Sequence, residues 1–180
     1  MSSKSDSNQI TRDYFDSILL ETRYWDSDLP STKMELYGET FETPIMTAAL
    51  SHLHEICDNA MAEFGKGAKD AGAVHWVGMG EDDELEQILA TGARTVKIIK
   101  PHKDDEVIYH KIRHAVEHGA FAVGMDIDHC FAGTGEYDVV CGLPMHAKTA
   151  SDLENYVKAS SVPFIVKGVL SAKDAEKCVK

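Results

Sequence analysis

Asp126 and Asp128 stand two residues apart in the run Met125-Asp126-Ile127-Asp128-His129-Cys130, the densest group of polar side chains in the sequence. On extended backbone, side chains two apart project to the same side, where a carboxylate can orient a histidine, hold a metal or accept a ligand N–H. Two carboxylates buried at a strand end are costly unless paired, so the run reads as a site rather than as a cap for the next turn. Lys167, directly before Gly168, and Lys97, inside another apolar run, are cations in similar settings. Partial desolvation of such lysines is best tolerated where an anionic or electron-rich ligand receives their charge; a solvated rim is the bland alternative. Ala48 and Ala49 end a further apolar run, and residues that small let a flat ligand approach the backbone or a helix pack closely. His52 and His54 form a His-x-His pair that could share a zinc or nickel ion.

These residues need elements to hold them, and the pattern supplies a regular series. Apolar positions Ile10, Tyr14, Phe15, Ile18 and Leu19 predict an amphipathic helix to about Tyr24, after a polar, disordered leader over residues 1–9. Residues 10–43 read as this helix plus a lead-in segment, with Met34, Leu36 and Phe41 pointing inward from a short strand pair. From residue 44 onward short apolar strands alternate with helices. Strands are predicted at 44–50, 73–77, 95–99, 121–127 and 164–167, and helices at 54–71, from the acidic cluster 81–84 onward, at 104–118 and at 151–159. Ser171 and Asp174 open one more.

Nearly continuous apolar strands separated by helices indicate a parallel sheet buried on both faces, hence an α/β fold. In such folds chemistry gathers at the C-terminal ends of strands, where Ala48, Ala49, Asp126, Asp128 and Lys167 fall. No Gly-x-Gly-x-x-Gly fingerprint follows the first strand, which argues against a nicotinamide-binding fold.

Composition narrows the partners. The 180 residues carry 30 acidic and 18 basic side chains, a net charge of -12, so no nucleic-acid partner is expected. A 43% hydrophobic content is enough for one sizeable core. No stretch approaches the roughly 20 apolar residues of a membrane span. Cys57, Cys130, Cys141 and Cys178 lack zinc-ribbon spacing and there is no secretory leader, so a reducing, cytoplasmic setting is expected.

The segment Val162 to Val179, VPFIVKGVLSAKDAEKCV, closely resembles the Pro-hydrophobic-hydrophobic-Val-Lys-Gly-Ile-Leu stretch of the FMN-dependent α-hydroxy acid oxidases and dehydrogenases, a family that includes glycolate oxidase, lactate oxidase and flavin-type L-lactate dehydrogenase. Pro163, Val166, Lys167, Gly168, Leu170, Asp174 and Ala175 carry the match. LYGETFETPIMTAAL and GAFAVGMDIDHC are similar to the family's lead into its first barrel strand and to its fourth strand. The resemblance implies a (β/α)8 TIM-type barrel that binds FMN at its C-terminal mouth and oxidises a small 2-hydroxy acid to a 2-oxo acid. It implies that Lys167 contacts the flavin, that Asp128 orients a catalytic histidine, and that Ala48, Ala49, His75, Lys97 and Asp126 line the cofactor.

The sequence also departs from the family. Lys97 stands where glutamine is usual, Ile99 where the substrate-binding tyrosine is usual, His75 near a flavin-contacting serine and Asp126 in place of threonine. The arginine expected after the fourth strand is missing from FAGTGEYD. An eight-stranded barrel takes about 250 residues, whereas five strands fill this chain, so the expectation is a barrel truncated after about the fifth strand. The catalytic histidine and the phosphate-binding loops would then lie elsewhere, and this chain alone is expected not to be a competent oxidase. Two other readings stay open: a non-catalytic partial barrel that homo-oligomerises, and a metal-dependent hydrolase using His52, His54 and Asp128.

Overall fold

The computed structural model describes residues 6–179, and the chain divides into two compact units, residues 1–31 and 32–180. The first contains α1 (Ser7–Ser17), capped by the Asp6 carboxylate, which accepts from the backbone N–H groups of Asn8 at 2.9 Å and Gln9 at 3.4 Å. The helix begins inside the expected leader and stops at Ser17, short of Tyr24. None of its residues is buried, so its amphipathic face gains nothing that would extend it. Residues 1–5 of the expected leader lie outside the described residues.

The second unit opens with a hairpin, β1 (Met34–Leu36) and β2 (Glu39–Phe41), paired antiparallel. Tyr37 and Gly38 both take positive φ, 49° and 83°, as a two-residue hairpin turn of the twist-matched kind requires. Residues 46–50 then run parallel to the next strand through two isolated bridges, Met46 with Val74 and Leu50 with Val77. A 3-10 turn over Leu53–Glu55 leads to α2 (Ala60–Asp70). The helix starts later than its apolar pattern implies because His52 and Asn59 both adopt left-handed backbone, breaking the run between them.

The remaining elements alternate: β3 (His75–Val77), α3 (Asp82–Ala90), β4 (Thr95–Ile99), α4 (Asp105–Glu117), β5 (Ala122–Asp126), the small hairpin β6 (Val139–Val140) and β7 (Leu143–Pro144), α5 (Ala150–Ala159), β8 (Phe164–Lys167) and α6 (Ala172–Cys178). The central sheet runs β3-β4-β5-β8 with every pairing parallel, which confirms the α/β class. Caps fix the helix starts. Asp104 accepts from Glu106 N–H at 3.0 Å, and Thr149 with Asp152 forms a reciprocal capping box on α5.

Both faces of the sheet are buried, by different partners. On one side Val77, Ile99, Val123 and Met125 meet Met61 of α2, Leu85 and Ile88 of α3, Ile108 and Ile112 of α4, and Tyr156 of α5. Truncating such a fully buried isoleucine costs about 2–5 kcal/mol. On the other side Val74, Val96, Ile98 and Ala122 pack with Phe41 and Phe121, whose rings meet edge to face at 5.5 Å. The hairpin thus plugs the N-terminal end of this inner face and leaves the C-terminal ends of the strands for a site.

Candidate functional site

Alternation along the strands decides which side chains reach the inner face. On β4, Val96 and Ile98 belong to the inner cluster, and continuing the phase two residues brings Lys100 to that side. On β5 the same phase carries Ala122, Gly124 and Asp126; on β8 it carries Ile165 and Lys167. Asp126 and Lys167 are register partners across the β5–β8 pair.

The result is an ion triplet at the C-terminal mouth. Asp126 Oδ2 accepts from Lys100 Nζ at 2.6 Å and its Oδ1 from Lys167 Nζ at 2.6 Å. The Asp126 side chain is 8% exposed, Lys100 15% and Lys167 39%. Burial alone would raise the Asp126 carboxyl, but hydrogen bonds from Lys100 and Lys167 outweigh it and hold the group down to about 2. Asp128 moves the other way. Its burial and its hydrogen bond and repulsion with Asp126 push the carboxyl up, so of the two carboxyls Asp128 is the one that carries a proton more readily. Gly168 makes this arrangement possible. Its φ is +87°, and a Cβ there would lie 2.5 Å from Asp128 Cγ.

Small residues mark other strand ends. Ala49 packs against the inner cluster while Ala48 is exposed. A Cβ on Gly78 would lie 2.9 Å from Ala49 O and 2.5 Å from Ser51 Oγ, and one on Gly124 would lie 2.5 Å from Ile165 O. Side chains are excluded from these positions, so the strand ends approach closely and present backbone.

Of the residues singled out from the sequence, the fold brings Asp126, Asp128 and Lys167 together and sets Ala48 and Ala49 at the end of the segment that runs beside β3. It does not bring His75 or Lys97 to them. His75 lies on the helix side, edge to face with Phe64 of α2 at 5.2 Å and 3.1 Å from Thr47 Oγ1. Its burial lowers the imidazole to about 4. Lys97 shares the phase of Ile99, and its Nζ donates to Gly78 O at 2.6 Å. Burial, with Lys111 nearby, lowers it to about 8. A one-residue step along a strand exchanges faces, so Lys97 lies in phase with Ile99 while Lys100 follows Val96 and Ile98.

The metal reading of His52, His54 and Asp128 also fails on geometry. The two histidine rings are 5.8 Å apart and line a cleft with Met61, Glu81 and Glu84, of which Asp128 is not a wall. Among the described residues these three do not form a group close enough to share one ion.

Sequence reasoning missed Lys100, which only the packing of Val96 and Ile98 in the inner cluster places in phase with the site. It also missed the β6–β7 hairpin, whose Cys141 and Gly142 turn takes positive φ at both residues. That hairpin ties the strand ends together: Lys103 N–H donates to Pro144 O at 2.8 Å and His146 N–H to Pro101 O at 2.9 Å. Beside it Phe131, Tyr137 and His146 stack in series, at 5.1 and 4.3 Å between ring centroids.

Comparison with known proteins gives this geometry its context. The sequence model of the FMN-dependent dehydrogenases matches residues 2–155. No curated protein matches the chain. Among solved structures it is similar to mandelate oxidase with 3,3-difluoro-2-hydroxy-3-phenylpropionic acid, at TM-score 0.80 and 19% identity, over 93% of this chain and 54% of that one. It is likewise similar to a mandelate oxidase mutant with (S)-mandelic acid, at TM-score 0.72 and 18% identity, over 83% and 48% of the two chains. A mandelate oxidase mutant with the monooxide FMN adduct aligns at TM-score 0.71 and 19% identity, over 83% and 47%. The chain therefore spans about half the length of these oxidases. At such identities the likeness is one of fold, and it agrees with the expected part of a (β/α)8 barrel. The match across most of the sequence is what assigns the family: this chain belongs to the FMN-dependent dehydrogenases.

Proposed function

We propose that this chain supplies the part of an FMN-dependent 2-hydroxy acid oxidoreductase that receives the flavin ring and the substrate carboxylate. The observation that carries the reading is the Lys100–Asp126–Lys167 triplet on the inner face at the strand ends. The residues fit the cofactor. Lys167, the more exposed cation, can donate to an electron-rich ring edge, and the small residues Ala48, Ala49, Gly78 and Gly124 leave backbone open to a flat ring. When bound, FMN supplies acceptance of two electrons from the substrate carbon.

The chain's own residues would do the rest. Lys167 holds positive charge beside the ring, where Asp126 fixes its direction. Lys100, at the end of β4, is the cation available to a carboxylate in place of the tyrosine and arginine that the family uses. Asp128, its carboxyl raised, can accept or return a proton at the mouth. Among the described residues no histidine is hydrogen-bonded to Asp128, and His129, next in sequence, pairs instead with Asp138 at 3.2 Å. The chain by itself is accordingly proposed to bind flavin and substrate without turnover.

The setting follows from the same features. Four free cysteines suit a reducing, cytoplasmic compartment, and among the described residues no helix is long and apolar enough to cross a membrane. Among the described residues β8 is paired on one side only, and its half-buried residues Phe164–Lys167 favour pairing with a second copy.

The test is a difference spectrum of the FMN-loaded chain with mandelate, lactate or glycolate added under anaerobic conditions. A perturbation without bleaching, weakened at least tenfold in apparent affinity by Lys100→Met, is the expected result. Bleaching would overturn the proposed incompetence, and an equal response from Lys100→Met would remove Lys100 from the substrate site.

A further inference from the structure

On the helix-covered side of the sheet, α3 and α4 face each other with matched spacing. Asp82 and Glu86 lie one turn apart on α3; His110 and His114 lie one turn apart on α4, and His118, one turn further, is its C-cap. His114 Nε2 is 3.0 Å from Glu86 Oε1, and His118 Nε2 is 3.5 Å from the same oxygen. The donor atoms of Glu86, His114 and His118 all lie within 4.8 Å of one another. We infer that Glu86, His114 and His118 form a binding site for a borderline divalent cation of the Zn2+ class, clamping α3 to α4.

Three features favour this over a set of interhelical hydrogen bonds. The first is donor chemistry. Two imidazoles four apart on one helix, with a carboxylate opposite, are a nitrogen and oxygen set suited to zinc, whose bonds of about 2.0–2.2 Å need only a small inward movement of these groups. The second is tautomer control. His118 Nδ1–H donates to the His114 backbone oxygen at 2.8 Å, which leaves the Nε2 lone pair aimed at Glu86 and His114.

The third is an unpaired atom. His114 Nδ1 is buried with no hydrogen-bond partner, an arrangement that costs free energy as long as Nε2 holds the proton for Glu86. A cation on Nε2 displaces that proton and makes Nδ1 the donor, facing Asp82 Oδ1, now 3.9 Å away. Asp82 would then orient His114 from behind, while His110, bound to Asp82 at 2.6 Å, anchors that carboxylate.

Equilibrium dialysis of the tag-free, chelator-treated 180-residue chain against Zn2+, with bound metal measured directly, tests the site. His118 and Glu86 are 40% and 50% exposed, so His118→Ala and Glu86→Gln should fold as the parent does, which far-ultraviolet circular dichroism checks. The expected result is one tightly bound equivalent, weakened at least tenfold by each of these variants and less than about threefold by His52→Ala. No bound zinc in the parent, or equal binding in the parent, His118→Ala and Glu86→Gln, would overturn the assignment and leave any binding to the exposed cysteines.

Discussion

Lys167 and Asp126 are register partners on adjacent parallel strands, and their charged groups meet at 2.6 Å on the inner face of the sheet. Because Lys100 reaches the other carboxylate oxygen at the same distance, Asp126 is the pivot of the site. Two cations converge there, and one carboxylate sets where both point.

Asp126→Asn leaves the two lysines facing each other without their counter-ion. Removing one partner of a fully buried ion pair costs about 3–5 kcal/mol; Lys167 is 39% exposed and partly screened, so a loss of about 2–3 kcal/mol is expected by urea denaturation. A loss under about 0.5 kcal/mol would show that the triplet is not formed in solution.

Gly168→Ala should disturb Asp128 without touching Asp126. The new Cβ meets Asp128 Cγ at 2.5 Å, and the residue must also keep a φ of +87°. Destabilisation of about 1–3 kcal/mol is expected from the backbone conformation alone. Proton-detected titration of the side-chain carboxyls should show Asp128 shifting toward its ordinary value, whereas an unchanged Asp128 would contradict the packing described.

Acid should weaken the fold through His75 and His102, both buried neutral and lowered to about 4 from 6.5. Burial is the leading cause for each, with Lys111, Lys148 and Lys100 adding to it at His102. Between those values the unfolded chain binds protons that the folded chain refuses. Their stabilisation is therefore complete above about pH 6.5 and is lost as pH falls toward 4, by up to about 3 kcal/mol for each histidine. His75→Phe should flatten the stability profile in that window.

Lys97 gives the opposite end of the pH scale. Its folded value of about 8, against 10.5 for an unperturbed lysine, means that the unfolded chain keeps a proton that the folded one gives up between them. This contribution to stability rises with pH across that window, at most by about 3 kcal/mol, and Lys97→Met should abolish the rise. Equal slopes for the two proteins between about pH 8 and about pH 10 would place the amine in water.

The edge at β8 should make the chain associate. Sedimentation velocity over a hundredfold concentration range is expected to show growth in mass, reduced in Ile165→Lys, which places charge on the inner face. A monomer at every concentration would contradict pairing through that edge.

Much of this architecture was legible in the sequence. The strands at Thr95–Ile99 and Phe164–Lys167 have the bounds that their apolar runs predict, since burial on both faces leaves little room for polar residues. Asp126 and Lys167 were legible for a related reason, being polar side chains at the ends of such runs. Phase was harder to read. Where a strand is apolar on both sides, nothing in Thr95-Val96-Lys97-Ile98-Ile99-Lys100 marks which lysine faces inward, and only the packing of Val96 and Ile98 against Phe41 and Phe121 settles it. The histidines of α4 escaped notice for another reason: their partners Asp82 and Glu86 lie 28 or more residues away, and only the helix pairing brings them near.

The central claim is tested most directly by the visible absorbance spectrum of the 180-residue chain after incubation with FMN and desalting, recorded beside Lys167→Met. The account predicts flavin absorbance retained by the parent and lost or strongly reduced in the variant, because Lys167 is the exposed cation at the ring wall. Equal flavin in both proteins, or none in the parent, would contradict it.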